Sequence, residues 1–151
     1  MVNNWRIPVS ESYVSAIGRA TYNFSYLQWG VVCICEKLEQ TFIDWSKGKT
    51  AGEIGTKFKT IVTSDASIPE AKTKERLLEL ANRFWLLVDK RNMLSHGNPI
   101  TPTNGEQRLL YFGKGGRMFE WTETDIIAAA EEFETAAIEA TDLYWKYLAS
   151  L

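Results

Sequence analysis

The feature that most constrains this chain is an apolar stripe in its first third. Tyr13, Ile17, Ala20, Phe24, Leu27, Val31, Ile34, Leu38 and Phe42 recur at steps of three and four. That is the period of an α-helix. The pattern predicts one helix from about Ser10 to Trp45. A second stripe, Tyr22, Tyr26, Trp29 and Cys33, runs beside the first. A helix with two apolar faces must be covered on two sides. One cover is its own domain, and the other is a loop or a partner subunit. Gly18 and Gly30 each weaken the helix by about 1 kcal/mol relative to Ala, so each marks a close approach or a bend.

The rest of the chain continues the helical period with clear stops. Ser46 to Lys49 reads as a loop. Thr50 and Glu53 have the spacing of a capping box and open a short helix carrying Ile54, Phe58 and Ile61. Residues 63–67 are the next break. Pro69 suits the first position of a helix that runs to about His96. Its stripe is Leu77, Leu80, Ala81, Phe84, Leu87 and Val88. Gly97 is the expected stop, and Pro99 and Pro102 keep the helix from continuing. Residues 107–112 and 117–121 are rich in aromatic and large apolar residues around Gly113 to Gly116, which reads as a β-hairpin with a four-residue loop. Thr122 and Asp125 form a second capping box. The last helix carries Ile126, Ala130, Phe133, Ala137, Ala140, Tyr144, Tyr147 and Leu151 on one stripe. The expected fold class is all-α: an up-and-down helical bundle of about four helices with a small β-hairpin insertion near 107–121. The 151 residues form one domain.

Composition narrows the function. With 45% hydrophobic residues the chain can bury a sizeable core, which excludes a disordered or fibrous protein. A net charge of −2 excludes a polycation built to coat nucleic acid. No apolar run approaches the ~18 residues needed to cross a bilayer. The first residues hold no apolar signal-peptide core, so the expected address is cytoplasmic, with no membrane partner. Cys33 and Cys35 sit two apart on a helix and point to different faces, so we expect two buried structural thiols in a reducing compartment. A single histidine leaves no His/Cys zinc set, and neither a metal nor a cofactor is expected. The charge is uneven along the chain. Residues 70–117 carry nine bases against five acids, and residues 118–151 carry one base against eight acids. An anionic ligand is best served by the middle segment.

Most enzyme templates fail. There is no GxxxxGK[ST], no GxGxxG between a strand and a helix, and no HExxH. Gly113 to Gly116 resembles a phosphate loop in composition alone, because it leads to no helix N-terminus. What remains is Arg91-Asn92-Met93-Leu94-Ser95-His96 at the end of the third helix. Asn92 and His96 share one face, four apart, and Arg91 and Ser95 form the neighbouring pair. Arg91 falls about 320° around the helix from Leu77, in line with Leu80 and Phe84. An arginine there must find a carboxylate, a ligand or the solvent edge. Glu36, which continues the second stripe of the first helix, and the local Asp89 are the two candidate partners. His96 is the only histidine. It sits in the last turn of its helix, and an imidazole is the side chain best suited to proton transfer near neutral pH.

Arg91 to Gly97 resembles the signature of the HEPN domains: an Arg, four to six residues, then a His, often with Asn after the Arg and Gly after the His. Here the spacer is four residues. The layout of long helices, motif, extended segment and final helix is also similar. The resemblance implies an α-helical bundle that dimerises so that two motifs face one composite site. Many members are metal-independent ribonucleases of toxin, abortive-infection and other defence systems, and others bind without catalysis. The resemblance makes His96 the acid/base residue, Arg91 the phosphate or structural arginine and Asn92 the polar residue beside them; Ser95 and Glu36 are supporting residues by their helical positions. It implies RNA as substrate, a homodimer, and an antitoxin or nucleotidyltransferase-like partner protein. The alternatives are a non-catalytic HEPN-like dimer that binds a nucleotide, RNA or a partner protein, and a helical interaction domain without a site.

Overall fold

The computed structural model describes residue 7, residues 9–65, residue 68 and residues 70–150. Helix α1 spans Glu11–Leu38 and buries most of the first stripe, with Ala20, Leu27, Val31 and Ile34 fully enclosed and Ile17 and Leu38 half-buried. It stops earlier than its periodicity predicts. Thr41 takes a left-handed backbone, φ 75°, and a separate short helix α2 follows at Phe42–Ser46. The apolar period survives this break because Phe42 still enters the core. Periodicity reports which side chains point inward, and a change of axis leaves that unaltered. Helix α3, Ala51–Ser64, and helix α5, Glu123–Leu143, both open with the expected capping boxes, at Thr50/Glu53 and Thr122/Asp125. Helix α4 covers Ala71–His96. The proposed role of Pro69 lies outside the described residues, as does Leu151 at the end of the last stripe. Beyond α5 the helix widens into a π-type turn at Tyr144–Leu148, where the Ala149 N–H donates to the Tyr144 carbonyl at 2.8 Å.

The expected hairpin is present, as β2 Arg108–Phe112 and β3 Met118–Trp121. A third strand, β1 Asn98–Ile100, joins it on the other side, so the sheet is three-stranded and antiparallel in the order β1-β2-β3. Pro99 is tolerated in β1 because β1 is an edge strand, where a missing N–H need not break a ladder. Gly97 does stop α4, but in ordinary extended geometry, φ −68°. Its necessity is close approach: a Cβ would stand 2.6 Å from the Met93 carbonyl oxygen and 3.1 Å from the Leu109 Cβ. The sheet is thereby pressed onto the end of the motif helix.

Helices α1 and α5 run parallel. The Asn23 amide donates to the Ala130 carbonyl at 3.0 Å, a Cβ on Gly30 would lie 3.3 Å from the Ala140 Cβ, and Lys37 Nζ donates to the Ala149 carbonyl at 3.4 Å. Helix α4 runs against α5, since Arg76 reaches Glu139 and Asp142 while Lys90 reaches Glu132. Helix α3 runs against α4, with Gly55 on Phe84 and the Thr63 carbonyl on Lys74. Phe24 joins three of these helices, 5.7 Å from the Phe84 ring and 5.2 Å from the Phe133 ring. Such ring pairs contribute about 0.5–1.5 kcal/mol beyond their area.

The second stripe of α1 stays outside. Tyr22, Tyr26 and Trp29 are 69%, 54% and 58% exposed. Both cysteines are free thiols. Cys35 is buried, and burial pushes its thiol well above the usual range. Cys33 is only half-buried, which corrects the expectation that both are enclosed. Among the described residues no helix is long and apolar enough to cross a membrane.

Candidate functional site

Helix geometry sets the site. Arg91 and Ser95 are four residues apart and share a face, whereas Arg91 and His96 diverge by about 140°. Arg91 and Ser95 accordingly line one cavity of about 330 Å³ between α1, α2 and the end of α4. His96 is exposed and does not line it. Asn92 is half-buried, and its Oδ1 accepts a long hydrogen bond, 3.4 Å, from Arg91 Nη1.

Arg91 is half-buried, as expected of an arginine at the edge of an apolar stripe. Its guanidinium lies 5.9 Å from the Phe24 ring centroid, within reach of a cation–π attraction. Its expected carboxylate partner is a correction. Glu36 instead accepts from the backbone N–H groups of Thr41 at 3.2 Å and Ile43 at 2.7 Å, which ties α2 to α1. The broken helix left those N–H groups without helical partners, and the Glu36 carboxylate satisfies them. Asp89 is exposed. Among the described residues no carboxylate stands within 4.0 Å of Arg91, while nine other ion pairs form elsewhere.

The cavity has an apolar floor of Phe24, Val32, Ile54 and Leu94, all buried. Its rim is polar. Thr21, Ser25, Gln28 and Trp29 come from α1 and Ser46 from α2. Arg91 is the one charged side chain among the described residues that line it. The sequence reading missed the α1 wall. Thr21, Ser25 and Gln28 follow steps of four and three, a polar stripe between the two apolar ones, and that spacing was open to view.

No family model matches this chain, and neither a curated protein nor a solved structure does. A second cavity, about 550 Å³, lies between α1 and α5 and is lined by Tyr26, Ile138 and Trp145. Trp29 on the rim of the Arg91 cavity and Tyr26 in this groove belong to one exposed stripe. Among the described residues no three His, Cys, Asp or Glu side chains are grouped to hold a metal ion.

Proposed function

We propose that the chain is a metal-independent endoribonuclease of the HEPN type, working as a symmetric homodimer in a defence or toxin-like role in the cytoplasm. The observation that carries this reading is Arg91, a half-buried cation at a cavity with no acid in reach. A guanidinium in that setting suits a phosphate, which it can engage with two parallel hydrogen bonds. We read the helices as a bundle in which α3, α4 and α5 alternate in direction and α1 lies parallel to α5.

RNA brings its own nucleophile. The 2′-oxygen attacks the adjacent phosphorus, the bond to the 5′-oxygen breaks, and a 2′,3′-cyclic phosphate remains. The proton lost from the 2′-hydroxyl is balanced by one delivered to the leaving 5′-oxygen. His96 handles proton transfer, Arg91 stabilises the charge growing on the phosphate oxygens, and Asn92 steadies Arg91. The divergence of Arg91 and His96 on one helix is the reason for two copies. A two-fold axis through the exposed Tyr22, Tyr26 and Trp29 face sets two motifs around one phosphate. An antitoxin or nucleotidyltransferase-like protein is the partner this role calls for. The exclusion of His96 from the Arg91 cavity favours a second reading, a non-catalytic HEPN-like dimer that binds a nucleotide, RNA or a partner protein.

Cleavage of single-stranded RNA in EDTA tests the proposal. The expected products carry a 2′,3′-cyclic phosphate, and DNA is untouched. His96→Ala loses about 10²–10⁴ in rate with its helical content intact. Light scattering gives twice 17.2 kDa. Cleavage that survives in H96A, or that requires magnesium, moves the conclusion to the binding module.

A further inference from the structure

We propose that the cavity beside Arg91 holds one nucleotide of single-stranded RNA, its phosphate on the guanidinium and its base between Trp29 and the apolar floor. This rests on the ribonuclease reading and adds to it the residues that select the substrate.

The cavity's chemistry is divided, and the division specifies the occupant. Its volume of about 330 Å³ is at the small end of ligand sites. A purely apolar ligand would cover Arg91 and leave its charge without water or partner, which is costly. A bare anion would satisfy Arg91 and leave the apolar side of the cavity, the exposed Trp29 above all, in contact with water. A ligand with a flat apolar part and an anionic part, joined over a few ångströms, satisfies both. A nucleotide has that composition. Trp29 is 58% exposed at the rim and is the one aromatic ring there with a free face of that size. Base–aromatic stacking tolerates every base, so Trp29 supplies affinity. Gln28, half-buried beside it, offers one acceptor and two donors to a base edge and supplies preference. Duplex RNA does not fit, because its bases are stacked inside an A-form helix that hides them from a pocket.

The probes are 2′-O-methyl RNA oligonucleotides, which lack the nucleophile and are not cut, read by fluorescence anisotropy beside the KM for cleavable RNA. We expect Trp29→Ala to weaken binding of the uncleavable strands about 5- to 150-fold, read at a protein concentration where light scattering still gives the dimer mass. Trp29→Phe restores most of the loss. Gln28→Ala keeps overall affinity within a few-fold and flattens the ranking of the four homopolymers. A blunt duplex binds at least tenfold more weakly than its separated strand. Trp29 also lies on the stripe assigned to the dimer, so Ser46→Glu, on α2 away from that stripe, is the second variant. It sets a carboxylate at the cavity of Arg91, and its dimer mass should persist while RNA binding is lost. If the parent cuts RNA and W29A, Q28A and S46E bind the uncleavable strands as the parent does, the nucleotide site is elsewhere and the nuclease stands. If the parent neither binds nor cuts RNA, the nuclease reading falls and takes this site with it.

Discussion

Helix α4 carries three arginines, and two of them, Arg76 and Arg91, have opposite surroundings. Arg76, near its start, donates to Glu139 at 2.8 and 3.1 Å and to Asp142 at 3.2 Å, and its guanidinium lies 5.6 Å from the Tyr147 ring. Arg91, near its end, has a long bond to its neighbour Asn92 and the face of Phe24. The helix that each one meets makes the difference. Arg76 faces α5, which lies in the acidic last segment of the chain. Arg91 faces a stretch of α1 that offers hydroxyls, an amide and an indole. The same side chain is a fastening at one end of α4 and an unmet demand at the other. An unmet demand of this kind is what a ligand site requires before its ligand arrives.

The largest expected effect tests the Arg91 end. Arg91→Ala should lower RNA cleavage about 10²–10³-fold, the loss typical of one charge-stabilising donor. It should melt within about 2 °C of the parent, because no carboxylate is left unpaired. Parental cleavage by R91A would dissolve the contrast. Arg76→Ala should do the reverse and keep cleavage near the parental rate. Its stability should fall by about 1–2 kcal/mol, reduced for an arginine side chain that is still 26% exposed. At this chain length that is roughly 2–8 °C in Tm by calorimetry. A larger loss from R91A than from R76A would reverse the assignment. The smallest effect is in acid. Asp142 is held below the usual carboxylate range by its hydrogen bonds to Lys146 and then to Arg76. A lowered folded-state value means that its stabilisation is complete above about pH 4 and is lost as pH falls through that value. Thermal melts below pH 4 should therefore decline more steeply in the parent and in R91A than in R76A, where part of the linkage is gone. Equal acid slopes in R76A and R91A would show that the two ends do not differ in this way.

The sequence made the inward faces readable and the chain's turns less so. The α1 stripe predicted the buried residues from Tyr13 to Phe42, yet it ran through the break at Thr41, because Phe42 stays in phase with the core. The hairpin was legible from its aromatic runs and glycines. β1 was not, because three residues with a proline carry no alternation to read. The same limit applies to the site. The angle of Arg91 on α4 predicted its place at the edge of the core. Its neighbours depended on which helix packed opposite, and periodicity along one helix holds no information on that. Glu36 is one of the two candidate partners because it lies on the right stripe, but the N–H groups of Thr41 and Ile43, at a turn that nothing in the stripe announces, hold it instead.

The parallel pairing of α1 with α5 also orders events in time. The hydrogen bonds that join them link residues 107 and 112 positions apart. Contacts of that separation close large loops and slow folding. On a ribosome adding about 5–20 residues per second, α1 emerges roughly 5–20 s before the part of α5 it packs against. Through that interval Phe24 has no Phe133 to meet, and the α1 wall of the Arg91 cavity has no support from behind. A nascent chain thus carries the whole Arg91 to His96 motif well before it has a rigid pocket in which to use it. Helix α5, made after the motif it supports, therefore sets the moment at which the pocket becomes rigid.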